Sequence, residues 1–196
     1  MGRLLDGFPR PLQALVGWAV TIAIAIVVVL GLRAEIASPY RIPSSSMEPT
    51  LHCARPAEGC RSGSSDRILA NRFIYRFRAP QRGEIVVFNT PPRTREACAE
   101  GGTFVKRIVG LPGETVTEQS GVISVNGRRL IEPYVLQSQR DTRSGTWPRV
   151  PDGHYFMLGD NRSNSCDSRD WGTVSRTNLI GPVFLTYWPP DRLHTP

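Results

Sequence analysis

The segment GGTFVKRIVGLPG, residues 101–113, contains Lys106, the only lysine among 196 residues. Apolar residues lie on both sides of this lysine and the turn residues Gly-Leu-Pro-Gly follow at 110–113, so the segment is predicted to form a β-strand. A lysine buried in apolar surroundings can lose its proton and act as a base, whereas an arginine stays protonated. The segment therefore indicates a strand that carries a catalytic amine, although drift in an arginine-rich sequence also explains a single lysine.

Three serines lie between two prolines in the segment PSSSMEPT, residues 43–50. Each proline fixes its own φ angle and favours extended geometry in the residue before it, so the backbone is predicted to be stiff there. A serine on such a turn can hold its hydroxyl towards a substrate, but it becomes a good nucleophile only when a neighbouring base accepts its proton. The segment therefore predicts a serine nucleophile that needs a neighbouring general base. The alternative is an ordinary polar loop.

Four blocks of the sequence, in this order, resemble the signature blocks of the type I bacterial signal peptidases. They are the serine block Ser44-x-Ser46-Met47-x-Pro49-Thr50, RGEIVVF at 82–88, Lys106-Arg107 with GLPG at 110–113, and GDNR at 159–162 with SCDSR at 165–169. The resemblance extends from about Tyr40 to Trp188. It implies an antiparallel β-sheet catalytic domain and the removal of signal peptides from exported preproteins.

The same resemblance implies a Ser-Lys dyad. Ser46 would attack the scissile carbonyl while the neutral amine of Lys106 takes its proton and later gives it to the leaving amine. This role requires that burial lower the lysine pKa from about 10.4 to about 7 or 8. Ser44 Oγ and the Ser46 backbone N–H would form the oxyanion hole for the developing negative charge.

Further roles are implied for residues around the dyad. Ser165 would orient the amine, and Asp167 would pair with Arg169 to hold that segment. Shallow apolar pockets would accept alanine-sized side chains at the first and third residues before the cut, and they would be lined by Tyr40, Ile42, Met47, Leu51 and Val105. The implied substrate is a preprotein with an Ala-x-Ala type cleavage site, extended along a strand edge.

A run of nineteen uncharged residues, 14–32, precedes these blocks. As a helix it spans roughly 28 Å, about the thickness of a bilayer core. We expect a short cytoplasmic N-terminus at 1–11, a single transmembrane anchor at 12–33 and a catalytic domain on the outer face of the cell membrane at 34–196. The alternative is a cleavable signal sequence, but the apolar run exceeds the usual length of about 7 to 15 residues.

Short runs rich in β-branched and aromatic residues, separated by glycine and proline, predict an antiparallel β domain after the anchor. The predicted strands cover residues 67–75, 84–88, 103–109, 153–158 and 179–187. Residues 122–130 predict a hairpin, because Asn126-Gly127 suits a type I′ turn. A small β insertion is expected at about 115–150, with a loop at 137–145. The expected fold class is therefore mainly β, preceded by one N-terminal transmembrane helix.

The four cysteines occur in no Cys-x-x-Cys pair and in no zinc-ligand spacing, so disulfides are favoured over a metal site. Cys53 and Cys60 enclose a short loop with proline and glycine that closes easily, which leaves Cys98 to pair with Cys166. Four cysteines permit three connectivities, so this pairing is a hypothesis, and four buried thiols in a cytosolic protein are the alternative. Disulfides would place the domain in an oxidising compartment.

The net charge of +7 comes from arginines scattered along the chain rather than from a basic cluster. This distribution favours a surface that faces anionic lipid headgroups over a nucleic-acid-binding protein. We expect preprotein signal peptides and the lipid bilayer as partners, the protein export machinery as a further candidate, and no cofactor. Two alternatives stay open: a membrane-anchored Ser-Lys processing protease of narrower substrate range, and a catalytically inactive β domain that binds a partner.

Overall fold

The computed structural model describes the backbone of residues 10–196 and the side chains of residues 14–27 and 37–196. Most of the predicted cytoplasmic N-terminus, 1–11, lies outside the described residues. The chain divides after Ala37 into an N-terminal unit and a C-terminal unit, Ser38–Pro196.

The N-terminal unit contains one described helix, α1, Arg10–Ile36. Its large apolar side chains are exposed by 52–69%, and they are Leu15, Trp18, Ile22, Ile24, Ile26 and Val27. Within the part of the chain that the structure describes, no helix meets the length and apolarity needed to cross a membrane. The predicted anchor at 12–33 is therefore not confirmed and stays a prediction.

Two antiparallel sheets and two short helices, α2 (Arg93–Cys98) and α3 (Ser168–Trp171), form the C-terminal unit. The larger sheet consists of β1 (Ala37–Arg41), β2 (Arg67–Asn71), β3 (Ile85–Asn89), β4 (Thr103–Gly110), β9 (His154–Leu158), β10 (Val174–Ser175) and β11 (Leu179–Trp188), and its order is β1-β2-β11-β3-β4-β9-β10. The smaller sheet consists of β5 (Val116–Gln119), β6 (Val122–Val125), β7 (Arg128–Arg129) and β8 (Gly145–Thr146), in the order β7-β6-β5-β8. The antiparallel registers confirm the predicted mainly β fold.

Strand β3 lies at the centre of the larger sheet and is buried on both faces. Ile85 and Val87 belong to one core cluster, whereas Val86 and Phe88 belong to another. The strand therefore reads as a continuous apolar run instead of alternating with polar residues. Its partner β4 lies between β3 and β9, so any side chain in the middle of β4 is placed deep in the domain.

Strand β4 has one free edge in its first half. It pairs with β3 along Thr103–Arg107, but its pairing with β9 begins only at Arg107, opposite Leu158. Among the described strands, none pairs with the other edge of residues 103–106. Unpaired backbone N–H and C=O groups on such an edge can receive an extended peptide.

The smaller sheet falls within the segment expected to be a β insertion. The predicted hairpin is confirmed, because β6 and β7 pair with Val125 opposite Arg128 across a two-residue turn. Asn126 and Gly127 have φ angles of 50° and 75°, and a type I′ turn requires positive φ at both positions.

One predicted strand is too long. The expected strand 67–75 ends at Asn71, and a 3-10 turn follows at Ile74–Arg76. The cause is local, since Asn71 Oδ1 accepts hydrogen bonds of 3.0 Å from the backbone N–H groups of Phe73 and Ile74. An asparagine side chain that binds the next backbone groups competes with strand pairing and starts a turn.

Both predicted disulfides are present. Cys53 is bonded to Cys60 and Cys98 is bonded to Cys166, with Cα–Cα distances of 5.1 Å and 6.0 Å. The first bridge closes a short loop after the serine segment. The second joins the end of α2 to the segment that carries Ser165, across 68 residues of sequence.

Gly181→Ala should destabilise the protein. A Cβ at Gly181 would come 2.0 Å from the backbone oxygen of Asn71, and this clash could be relieved only by moving the paired backbones of β11 and β2. We expect a loss of roughly 1–3 kcal/mol in the free energy of unfolding, measured by urea denaturation. Gly63→Ala is the matched control, because no atom lies within 4 Å of a Cβ there. Equal stability of the two variants would contradict the packing described for β11.

Candidate active site

A groove of about 530 Å³ brings Ser46 and Lys106 together. Residues 40–43 border it at the end of β1, residues 44–47 follow, and residues 103–106 of β4 form another wall. Strands β1 and β4 are first and fifth in the sheet order, so the sheet curls around the groove. Three of the four sequence blocks contribute to its lining.

The serine segment forms a 3-10 turn at Ser45–Met47. Ser46 Oγ lies 3.4 Å from Ser44 Oγ, and both serines line the groove. Ser45, between these two serines, is buried, and its Oγ accepts a 2.7 Å hydrogen bond from Asn164 Nδ2. The middle serine therefore fixes the turn, while its two neighbours remain available at the groove.

Asn161 attaches the serine turn to the GDNR block. Its backbone N–H donates to the Ser46 carbonyl oxygen at 3.1 Å, and its Nδ2 donates to the Ser45 carbonyl oxygen at 3.1 Å. Gly159 lies beside these contacts, where a Cβ would come 2.6 Å from the Ser46 oxygen and 2.2 Å from Ser165 Oγ. Only glycine fits there, and this close approach brings Ser165 next to the serine turn.

Lys106 is buried in the middle of β4, with 3% of its surface exposed. Its Nζ lies 5.8 Å from the centre of the Phe104 ring and has no hydrogen bond or ion pair with any described residue. Burial lowers the pKa of Lys106 to about 8, although the nearby Asp167 carboxylate acts in the opposite direction. A large share of the amine is therefore neutral near pH 8, as a general base requires.

Ser46 Oγ and Lys106 Nζ share the groove without a hydrogen bond between them in the described structure. The hydrogen bond of Ser46 Oγ is the one to Ser44 Oγ. Catalytic hydrogen bonds are often long in a free enzyme and tighten when substrate binds. The groove is therefore lined by a hydroxyl and by an amine that can be neutral near pH 8, and a peptide can enter it.

Asp167 and Arg169 form a buried ion pair behind the groove, with Arg169 Nε and Nη2 donating to the two carboxylate oxygens at 2.8 Å and 2.9 Å. The Gly159 N–H also donates to Asp167 Oδ2 at 3.1 Å. Burial alone would raise the pKa of Asp167, but the Arg169 guanidinium holds it below its usual range. Arg169 further contacts Asp141 and Glu118 of the insertion at 2.6 Å and 3.3 Å. Arg169 therefore connects the β insertion to the segment that carries Asp167.

A second buried ion pair was missed by the sequence reasoning. Arg107, next to the lysine, donates from Nε and Nη2 to Asp160 at 2.8 Å and 2.6 Å, and Thr50 Oγ1 donates to the same carboxylate at 2.5 Å. Arg107 also stacks on the Tyr134 ring at 3.9 Å. One carboxylate thus joins the serine block, the lysine block and the GDNR block.

Four of the five predicted pocket residues line the groove, and they are Tyr40, Ile42, Met47 and Val105. Leu51 does not line it, because its side chain is fully buried in the core cluster beneath. Ser165, Asp167 and Arg169 also lie outside the lining, although Cys98 and Cys166 are part of it. Ser165 Oγ is buried and has no hydrogen-bond partner among the described residues.

Comparison with known proteins identifies a family of similar chains. The family model described as signal peptidase, peptidase S26, matches residues 15–188. The chain is 40% identical over 173 residues to a probable signal peptidase I-2 of Synechocystis, which covers 88% of this chain and 73% of that protein. It is 33% identical to a signal peptidase I of Mycobacterium tuberculosis, over 94% of this chain and 76% of that one. A solved signal peptidase I from Enterococcus faecalis is 35% identical and covers 54% of this chain and 97% of its own, with a TM-score of 0.44.

Lys106→Met should stabilise the protein at pH 7. A folded pKa of about 8 against an ordinary 10.5 means that the unfolded chain binds more protons between these pH values, so stability rises as pH increases through this window. The charged lysine costs about 3 kcal/mol at pH 7, and this cost fades towards pH 10. Urea denaturation of both proteins at pH 7 and pH 10 measures the difference. A difference that does not change with pH would contradict the burial of a charged amine.

Proposed function

The chain belongs to the signal peptidase family, peptidase S26, and is a serine endopeptidase; we propose that it removes signal peptides with Ser46 as nucleophile and Lys106 as general base. The observation that carries this proposal is the depressed pKa of the buried Lys106, in the groove that Ser46 also lines. A binding surface gains nothing from a buried amine without a partner, whereas a base must be able to be neutral. The rival reading as an inactive binding domain is therefore disfavoured.

The reaction has two halves. Ser46 Oγ attacks the scissile carbonyl carbon as its proton passes to Lys106 Nζ, and the tetrahedral intermediate then collapses as that proton is delivered to the leaving amine of the mature protein. The signal peptide remains as an ester on Ser46. A water molecule next loses a proton to Lys106 and attacks the ester carbonyl. Lys106 returns that proton to Ser46 Oγ as the ester bond breaks, which releases the signal peptide and restores both the serine and the neutral amine.

The developing oxyanion needs hydrogen-bond donors that are already in place. Ser44 Oγ, at 3.4 Å from Ser46 Oγ, and the Ser46 backbone N–H are the candidates. The turn that carries them is held by the hydrogen bonds from Asn161 and Asn164, so the donors need little reorganisation during the reaction.

Ser165 and the Asp167–Arg169 pair are the proposed positioning groups. Ser165 Oγ is buried, packs against Gly159 next to the serine turn, and lacks a partner of its own. Such a hydroxyl can accept a hydrogen bond from the lysine amine and orient its lone pair towards Ser46. The ion pair fixes the segment that carries it.

The substrate would bind as an extended peptide along the free edge of β4. Residues 103–106 offer unpaired backbone groups, and Ile42, Met47 and Val105 supply the apolar surface beside them. Ile42 and Met47 are almost fully buried and offer only a small apolar contact surface, so we propose that alanine-sized residues occupy the first and third positions before the cut. The preferred cleavage site is therefore of the Ala-x-Ala type.

A triad based on histidine is the other serine-protease chemistry to consider. None of His52, His154 and His194 lines the groove. His52 Nδ1 lies 2.6 Å from the buried Glu48 carboxylate, in the loop after the serine turn. The histidines are therefore engaged elsewhere, and the lysine remains the base.

The protein would act at the cell membrane with its catalytic domain on the outer face. Helix α1 presents exposed apolar side chains along residues 14–27, which suits a lipid environment better than water. Two disulfides in the catalytic domain suit an oxidising compartment. A preprotein whose signal peptide is still in the bilayer would then reach the groove, with the protein export machinery as a further partner.

Lys106→Arg should abolish cleavage of an Ala-x-Ala preprotein, because a guanidinium cannot become neutral at the working pH. Ser46→Ala should be equally inactive, and the double variant hardly worse, since nucleophile and base act as one unit. Ser44→Ala should keep a residual activity about 100-fold or more below the unmodified protein, because one oxyanion donor remains. Values of kcat/KM for purified, folded variants provide the measurement.

Ser138→Ala is the matched control for these serine variants, since Ser138 is exposed and lies outside the groove lining. Its activity should equal that of the unmodified protein. Cleavage by folded Lys106→Arg at a near-normal rate would refute the dyad and direct attention to His52.

The full-length protein should resist extraction from membranes by alkaline carbonate, because an apolar anchor at 12–33 would hold it in the bilayer. Protease added to intact spheroplasts should digest the chain beyond about Arg41. Protection of this region from external protease would reverse the proposed topology, and release by carbonate would refute the anchor.

A further inference from the structure

Two carboxylates at the groove take no part in the chemistry described above. Glu58 and Glu100 line the groove, and its cationic lining residues are Lys106 and Arg41. Glu58, Glu100 and Arg41 are exposed, whereas Lys106 is buried. Neither carboxylate has an ion pair or a side-chain hydrogen bond in the described part of the chain. Both carboxylates are therefore available to a cationic side chain of a bound substrate, in a chain whose net charge is +7.

Glu58 is held next to the serine turn. It lies in the loop that the first disulfide closes, and the adjacent Gly59 has a φ of +72°. A Cβ at Gly59 would come 2.6 Å from both Ser45 Oγ and Asn164 Nδ2, so the loop rests directly on the turn that carries the nucleophile. A substrate residue within one or two positions of the scissile bond therefore passes close to Glu58.

Glu100 is held at the far end of the β4 wall. Ala99, just before it, takes a left-handed conformation with φ of 58° at the end of α2, and the neighbouring Cys98 is tied by the second disulfide. With a rise of about 3.3 Å per residue, Thr103 lies about 10 Å along the strand from Lys106, and Glu100 lies beyond it. An extended substrate on the free edge would pass Glu100 about three to six residues from the scissile bond.

The half of the groove that contains Glu100 is the half that precedes the cut. Val105 lies between Lys106 and Thr103 on the same strand, and it belongs to the proposed pocket for the residues before the cut. This placement rests on the proposed function. Glu100 therefore faces the last part of the signal peptide, whereas Glu58 faces the residues that flank the scissile bond.

We propose that Glu58 and Glu100 are specificity determinants that favour preproteins with a lysine or arginine near the cleavage site. Glu100 acts on the residues four to six positions before the cut, beyond the alanine at the third position, and Glu58 acts on the variable residues beside the cut. Both carboxylates are solvated, so each contributes a preference of a few-fold and mainly through the association step. Both sit on loops fixed by a disulfide, so the charges have defined positions.

The test compares pairs of Ala-x-Ala peptides that differ only by Lys or Glu at one position. The unmodified protein should show a Lys-to-Glu ratio in kcat/KM of about 3 to 10 at positions four to six before the cut, and this ratio should fall towards 1 in about 0.5 M salt. Glu100→Gln should lower the ratio at those positions, and Glu100→Lys should invert it. Glu58→Gln should lower the ratio only at the positions beside the cut.

Glu96→Gln is the matched control, because Glu96 is an exposed carboxylate on α2, four residues from Glu100, and lies outside the groove lining. It should leave every ratio unchanged. Ratios near 1 in the unmodified protein, ratios insensitive to Glu58 and Glu100, or an equal effect of Glu96→Gln would each overturn the proposal while the peptidase activity stands. Failure to cleave any of the peptides would instead count against the proposed function itself.

Discussion

The burial of Lys106 without a charged partner is the constraint on which the rest of the site depends. A charged ammonium resists transfer from water, so its pKa falls to about 8 and the folded protein gives up stability at neutral pH. Strand β4, which carries Lys106, must therefore be stabilised by apolar contacts elsewhere along the sheet. Its neighbour β3 is buried on both faces, and Ile108 and Val109 of β4 are completely buried just beyond the lysine. The apolar core thus offsets the cost of keeping one amine out of water.

The two buried carboxylates near the lysine, Asp160 and Asp167, are each engaged by an arginine, so they favour the charged amine less than free carboxylates would. Asp160 accepts two hydrogen bonds from Arg107, and Asp167 accepts two from Arg169. A free carboxylate beside the amine would raise the lysine pKa again, whereas a paired one acts on it less. The same arginines connect distant segments, since Asp160 also binds Thr50. Electrostatic control of the base and the assembly of the groove are therefore performed by the same ion pairs.

The sequence predicted the features that depend on local chemistry. The antiparallel strands, the Asn126-Gly127 hairpin and the Cys53–Cys60 bridge were predicted correctly, because β-branched runs, turn residues and loop length act over short distances. The Cys98–Cys166 bridge spans 68 residues and was predicted only because two cysteines remained. The early end of β2 at Asn71 was not predicted. An asparagine can either continue a strand or bind the following backbone N–H groups and start a turn, and the sequence alone does not distinguish these two cases. Long-range ion pairs were missed altogether. Arg162 is completely buried against Glu132, thirty positions away, and a single sequence carries no signal of that pairing.

Part of the groove wall consists of loops, and this explains where the disulfides lie. Residues 57 and 58 come from the loop closed by the first bridge, and Cys98 and Cys166 of the second bridge line the groove themselves. A short loop without a core of its own would otherwise sample many conformations, and a disulfide removes much of that freedom. A rigid wall discriminates by excluding side chains that do not fit, whereas a mobile wall would yield to them. In the proposed function, the rigidity of these loops would contribute to a preference for small residues next to the cut, together with the apolar residues that line the groove.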